Sequence, residues 1–425
     1  MLDLLNFLDK SYTAHFAVKN LEELFKANGF TKINMEKSPI LKKGGNYYIK
    51  KGETSIIGFK IGLKYENLGF NIVATHTDSP TLKIKPVALI SGNLFETLNV
   101  EVYGGPILQS FLDRPLSLAG VVYTKEENIL KANLVNIDED LLIIPSVAIH
   151  LQRGTSQQEL NPQIDLLPLL GQKSNTDFVK MIEEKANLTN IVSYDLYVYP
   201  RMKSTMVGLN KEYICSSRID NLECTYLGAK SLVEANNEDK IMVFAAFDSE
   251  EVGSSTVNGA NSTFLNDTLT YIYNSLGKTH NEYLSALEHS FIVSSDNAHS
   301  VHPNHPEKAD PTNKVIINKG IVIKHNARGA YTTNALSWGV FASILDKDNV
   351  PYQHYTNRSD QRGGSTLGAI SLSHVSINSV DIGLAQFAMH SAYETAGALD
   401  AKYLNKGLVG FYNSRLEKIQ EGFKF

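Results

Sequence analysis

Seven consecutive apolar residues, Ile241-Met242-Val243-Phe244-Ala245-Ala246-Phe247, run directly into Asp248-Ser249-Glu250-Glu251. An unbroken run of this length, rich in Val, Ile and Phe, predicts a strand buried on both faces. Such strands belong to sheets with helices packed on each side. Open α/β sheets place their chemistry just beyond the carboxyl ends of their strands. Neighbouring carboxylates repel one another there. They coexist where a cation neutralises one and the other has a proton to move. On this reading Glu251 binds metal and Glu250 is a general base. A solvated acidic turn favoured by a helix dipole reads the same way in isolation, so the other strand ends must decide. Gly253-Ser254 is expected to open a helix over residues 254–264.

The pattern recurs. Residues 69–75 form a short apolar run ending in His76-Thr77-Asp78. A metal-bound imidazole needs a partner for its second ring nitrogen, and Asp78 can supply one. Tyr213-Ile214-Cys215-Ser216-Ser217 reads as a strand that hands over to a helix at Arg218-Ile219-Asp220-Asn221, where Asp is also a common cap. Ser290-Phe291-Ile292-Val293-Ser294-Ser295 ends at Asp296. His390 follows a strand over residues 375–383 and precedes a last long helix, expected to open at Ala392-Tyr393-Glu394. Two imidazoles (His76, His390), three carboxylates (Asp220, Glu251, Asp296) and a spare one (Glu250) thus gather at element ends. Two divalent ions about 3.5–4 Å apart need this mixture and a bridging carboxylate. Imidazole with carboxylate suits zinc, and also manganese or cobalt.

The 425 residues carry a net charge of -5, which gives no electrostatic case for nucleic acid or an anionic membrane. No stretch approaches the roughly 18 apolar residues of a membrane span. Asp3 and Asp9, with no basic residue before them, argue against a secretory signal. Cys215 and Cys224 form no metal motif and suit a reducing compartment. A cytoplasmic protein is the expectation. Residues 1–28 read as helix and 315–324 as strand. Between Pro86 and Pro200 the texture changes to short, near-alternating strands, with helical periodicity returning at residues 178–186. This predicts a β-rich domain, residues 86–200, inserted into an α/β unit made of residues 1–85 and 201–425.

His76-Thr77-Asp78-Ser79-Pro80, Arg218-Ile219-Asp220-Asn221-Leu222, Asp248-Ser249-Glu250-Glu251-Val252-Gly253-Ser254, Ser295-Asp296-Asn297-Ala298-His299 and Leu384-Ala385-Gln386-Phe387-Ala388-Met389-His390-Ser391 resemble, in order, the motifs of the M18 aminopeptidases, the aspartyl aminopeptidase family. Tyr103-Gly104-Gly105-Pro106, Phe111-Leu112-Asp113-Arg114-Pro115-Leu116 and Ile149-His150-Leu151-Gln152-Arg153 join them. The resemblance covers residues 10–410. It implies an α/β zinc-peptidase fold, a mixed sheet sandwiched by helices and interrupted by a β-rich dimerisation domain. It implies that Asp220 bridges two metal ions, with His76 and Asp296 completing one site and Glu251 and His390 the other. Glu250 would be the general base and Asp78 would orient His76. His150 would reach a partner subunit's active site, and His302 would lie near the metals. Lys324, at a strand end, would pair with an acidic substrate side chain. The expected activity is removal of the N-terminal residue, Asp or Glu for preference, from short peptides by homodimers built into a tetrahedral homododecamer. Arg362, where some relatives have a small or apolar residue, leaves a neutral or hydrophobic preference open. Another dimetal amidohydrolase is the further alternative.

Overall fold

The computed structural model describes residues 1–425 except 38, 67–68, 153–158, 362 and 372–373. Arg153 and Arg362 therefore lie outside the described residues.

Ile241–Phe247 is a strand with every residue buried. It lies at the heart of a nine-stranded sheet and pairs in parallel with Phe70–His76. Phe291–Ser295 and then Asn378–Gly383 continue the parallel set. On one flank Ser55–Ile61 runs antiparallel to Ile241–Phe247, followed by Asn46–Lys51 and Thr31–Lys32. On the other flank Ile321–Lys324 pairs antiparallel with Asn378–Gly383 and parallel with Tyr352–Tyr355. The sheet is mixed, and its chemistry-bearing centre is parallel. Ile241–Phe247 sits between Ser55–Ile61 and Phe70–His76, two strands that are neighbours in sequence.

Side chains alternate across the sheet, so each strand feeds two cores. Met242, Phe244, Ala246, Val73 and Val293 pack toward the helices Leu2–Lys10, Ala14–Ala27, Ile219–Glu234, Ala335–Lys347 and Ala398–Asn413. Ile241, Val243, Ala245, Ile72 and Ala74 pack toward Phe264–Ser275 and His280–Glu288. Each fully buried Ile or Phe contributes on the order of 1.5–3 kcal/mol. Gly228 lets the helix Ile219–Glu234 lie close to the sheet, since a Cβ there would come 2.8 Å from the Phe244 ring.

A second sheet of six antiparallel strands stands apart. Its order is Ile129–Asn136, Leu116–Glu126, Ile191–Pro200, Thr81–Ser91, Phe95–Tyr103 and Leu169–Gln172. It owns a separate core around Leu82, Val100, Leu118 and Leu196, capped by Phe178 and Ile182 of the helix Phe178–Ala186. The first strand of this sheet starts at Thr81.

A third sheet of five short strands, not foreseen from the sequence, comprises Thr205–Val207, Tyr213–Ser216, Glu394–Gly397, Ala385–Phe387 and Ala298–His299. It overturns the helix expected to open at Ala392. Glu394–Gly397 is zipped between two strands, and the helix starts only at Ala398. The helix expected over 254–264 is also absent. Glu250–Val252 makes one 3-10 turn, and Gly253 (φ 94) and Ser254 (φ 59) are left-handed, which stops propagation. Over residues 315–324 only Ile321–Lys324 is strand. Asn318 (φ 66) and Gly320 (φ 106) turn the chain before it, and a Cβ at position 320 would sit 2.0 Å from the Pro351 carbonyl oxygen. Residues 1–28 form two helices, broken at Ser11-Tyr12-Thr13. Among the described residues no helix is long and apolar enough to cross a membrane.

Candidate metal centre

The carboxyl ends of the central strands converge. His76 is the last residue of its strand and 1% exposed. Its Nε2 lies 3.5 Å from Asp220 Oδ1 and 3.6 Å from Asp296 Oδ1. His390 Nε2 lies 3.6 Å from Asp220 Oδ2 and 3.4 Å from Glu251 Oε2. The two imidazoles therefore face different oxygens of one carboxylate. His76, Asp220 and Asp296 form one group of possible metal ligands, Asp220, Glu251 and His390 another, and His76, Glu250 and Glu251 a third.

The donor set fits a metal. His76 Nε2 and Asp220 Oδ1 are buried without a hydrogen-bond partner among the described residues. Leaving such atoms unpaired costs about 1–3 kcal/mol each. Ligands about 2.1 Å from a tetrahedral zinc ion stand about 3.4 Å apart, close to the spacings here. The fold also concentrates negative charge. Burial, with Asp296, Asp78 and Asp220 nearby, pushes Glu250 up to about 7 against the pull of His76. Burial and Asp220 raise Glu251 well above the carboxylate range. Burial would lower His390, but Asp220, Glu251 and Glu394 hold it up to about 10.

Asp78 anchors both sides of this arrangement. His76 Nδ1 is 3.1 Å from the Asp78 backbone oxygen and 3.4 Å from its Oδ1. The same carboxylate accepts hydrogen bonds from the backbone N–H groups of Glu250 (3.1 Å) and Glu251 (3.2 Å) and from the Tyr103 hydroxyl (2.8 Å). Tyr103 ends a strand of the six-stranded sheet. Its place in the Tyr103-Gly104-Gly105-Pro106 motif gives no sign of this task. Left-handed Ser249 (φ 64) turns the acidic segment so that both N–H groups face Asp78.

Lys324 ends its strand, is 2% exposed, and places Nζ 3.5 Å from Asp296 Oδ2 and 5.5 Å from the centre of the Tyr331 ring. It lines the same cavity, about 290 Å³, as His76, Glu250, Asp296 and His390. His302 does not join that group. It lines an adjoining cavity of about 310 Å³ that shares His299, Tyr355 and Gly364 with the first. His150 stands on the exposed 3-10 turn Ile149–Leu151 and lines neither cavity.

Sequence reasoning missed Glu394. It is 1% exposed and its carboxylate accepts from the N–H groups of His390 (2.7 Å) and Asp220 (3.1 Å). The available signal was an acidic residue four positions after His390, which was absorbed into the expected helix opening.

The chain matches the model of the family described as aminopeptidase I zinc metalloprotease (M18) over residues 7–412. It is 41% identical over 423 residues to a probable M18 family aminopeptidase 2 of Clostridium acetobutylicum, covering 96% of this chain and 98% of that one. It is similar to a chain in the solved Ape4 and Nbr1 complex, at TM-score 0.93 and 33% identity, covering 97% of this chain and 85% of that one. The S. cerevisiae mApe1 dodecamer shares the fold, at TM-score 0.85 and 21% identity, over 97% of this chain and 96% of that one. With a family match over nearly its whole length and a relative this similar from end to end, the chain belongs to the M18 aminopeptidases, a family of metal-dependent peptidases.

Proposed function

We propose that this chain is a dinuclear metal-dependent aminopeptidase that removes Asp or Glu from the amino end of short peptides. The observation that carries the two-ion reading is the pair of imidazoles facing opposite oxygens of Asp220. His76, Asp220 and Asp296 would hold one ion, and Asp220, Glu251 and His390 the other. Zinc fits the donors, with manganese or cobalt as substitutes. Such ions, when bound, lower the pKa of water and polarise the scissile carbonyl.

The chain's own residues do the rest. Glu250 lines the same cavity and takes a proton from the attacking water, then delivers it to the leaving amine. Asp78 keeps the His76 ring and the Glu250–Glu251 backbone in register. Lys324, a buried cation on the cavity wall, pairs with the carboxylate of an acidic first residue. His302, on the wall of the adjoining cavity, contacts the rest of the peptide. The rival specificity, for a neutral or hydrophobic first residue, has support in Tyr331, Tyr355 and Met389 on the same wall.

For assembly, the S. cerevisiae relative is a dodecamer. Val147, Ile149 and Leu151, exposed by 54%, 72% and 80%, flank His150 on the inserted domain. Apolar side chains so exposed and so close in sequence suit an interface. On this reading residues 86–200 form the dimer contact, His150 enters the partner's site, and homodimers build a tetrahedral homododecamer. The free thiols Cys215 and Cys224 suit a cytoplasmic setting.

The test is hydrolysis of matched Asp- and Leu-anilides and their N-acetylated forms, after chelation and after zinc, manganese or cobalt is restored. Metal-restored cleavage of the free Asp substrate alone supports the metal site and the acidic specificity together. Preference for Leu discards the acidic specificity, and cleavage of the acetylated substrates favours an amidohydrolase.

A further inference from the structure

We infer that Glu394 is a positioning residue that fixes the two halves of one metal site to each other. This role rests on the two-ion reading above. Glu394 lies on a strand of the small five-stranded sheet, outside all three ligand groups. Three N–H donors point at its carboxylate. His390 N donates to Oε1 at 2.7 Å, Gln386 Nε2 donates to Oε1 at 3.3 Å, and Asp220 N donates to Oε2 at 3.1 Å. One oxygen thus holds the backbone of the imidazole ligand, and the other holds the backbone of the shared carboxylate. These two segments lie 170 positions apart in the chain.

The two groups that share Asp220 differ in how firmly the fold supports them. His76 ends a central strand, and Asp296 directly follows another. Glu251 sits in a one-turn 3-10 segment, and His390 is left-handed (φ 68) two residues after left-handed Ala388 (φ 53). His390 itself lies outside any strand. Glu394, four residues on at the start of the next strand, holds the His390 backbone N–H while also holding that of Asp220. A carboxylate suits the task because it offers two oxygens that accept, and all three partners are donors. A glutamine amide would keep one accepting oxygen and turn an NH2 group toward one of the backbone N–H groups.

The test uses the full-length chain, stripped of metal and titrated with zinc by calorimetry, with cobalt titrated in parallel by visible absorption. Glu394→Gln is expected to weaken one of the two ions by about 10- to 100-fold, the usual scale for losing a ligand's support, and to change the cobalt spectrum of that ion. Asp400→Asn is the control. Asp400 is equally buried and accepts from two backbone N–H groups, Asn318 (2.6 Å) and Gly320 (2.9 Å), away from the site. It is expected to lower the unfolding temperature and leave zinc affinity unchanged. If Glu394→Gln does not fold, Gln386→Leu removes one donor and is expected to weaken the same ion severalfold. Two ions bound with wild-type affinity by the folded variant would overturn this role alone. A wild-type chain that binds a single ion would overturn the two-ion reading and this role with it.

Discussion

The carbonyl oxygen of Gly105 lies 3.0 Å from Nδ1 of His390, although 285 residues separate them. The contact is returned, because the His390 carbonyl accepts from the N–H of Ile107 at 2.9 Å. Gly105 and Ile107 follow a strand of the six-stranded sheet, so that sheet grips ring and backbone of His390 together. Gly104 makes the grip geometrically possible. Its φ is 71, and a Cβ there would meet Glu251 Cβ at 3.1 Å. Gly104→Ala is expected to cost about 1–2 kcal/mol in backbone strain and to lower kcat by about tenfold or more through displacement of Glu251 and His390. Thermal unfolding and steady-state kinetics on one preparation measure both. Wild-type kcat in the variant would separate this turn from the site.

Glu250 and Glu251 are adjacent and chemically alike, yet they are given different tasks. Both line the cavity, but Glu251 lies 3.4 Å from His390 Nε2 in a ligand group that shares Asp220, whereas Glu250 groups with His76 and Glu251 without Asp220. Glu250→Gln is therefore expected to retain metal and lose about 10²–10⁴-fold in kcat, the range of positioned acid–base catalysis. Glu251→Gln is expected to lose metal as well. Metal analysis beside the kinetics distinguishes them, and equal metal loss in both would reject the division of labour.

Lys324 offers the sharpest check on specificity. Lys324→Met removes the buried cation beside Asp296. If the ammonium recognises an acidic side chain, kcat/KM for an Asp-anilide falls by about 100-fold or more, because a buried polar contact is left unpaired. The Leu-anilide is then expected to change little. An equal fall on both substrates would mean that Lys324 supports Asp296 rather than the substrate.

A pH-dependent contribution to stability lies far from the chemistry. Glu22, on Ala14–Ala27, receives Lys26 and Lys50 at 3.0 Å each and the Tyr48 hydroxyl at 3.0 Å. Burial would raise its pKa, but the hydrogen bonds of Lys26 and Lys50, helped by Tyr48, bring it from 4.5 down to about 2. A depressed carboxylate stabilises the fold above its unfolded pKa and loses that contribution as pH falls through the folded one. The contribution, which solvent screening holds below the about 3 kcal/mol of the full shift, is thus complete at neutral pH and fades between pH 4.5 and 2. Glu22→Gln is expected to be less stable than the wild type at pH 7 and to approach it near pH 3. Urea midpoints at pH 7, 4.5 and 3 measure the gap, and a gap independent of pH would remove Glu22 from the account.

The apolar runs made the centre of the large sheet legible. A buried parallel strand needs hydrophobic residues on both faces, and Ile241–Phe247 and Phe70–His76 have them. His76, Glu250, Glu251 and Asp296 inherit their positions from those runs. The small sheet was not legible. Its strands are two to four residues long, and Tyr213–Ser216 finds its partner in Glu394–Gly397 across the chain. No local periodicity encodes such a pairing, so in the sequence Glu394 looks like the start of a helix. Tyr103 escaped for a related reason, because its partner Asp78 belongs to a different sheet. The false helix over 254–264 came from a sequence without proline, in which only the backbone at Gly253 and Ser254 reveals the break.

The strand order has a consequence for how the chain is made. Ser55–Ile61 and Phe70–His76 leave the ribosome early, but they do not pair with each other. The slot between them belongs to Ile241–Phe247. At about 5–20 residues per second, the nascent chain waits roughly ten to thirty seconds for its central strand. During that interval the six-stranded sheet, complete by residue 200, can close alone, while two apolar edges of the larger sheet stand unpaired. Shielding those edges by a chaperone during synthesis would then matter more for yield than any single contact in the finished protein.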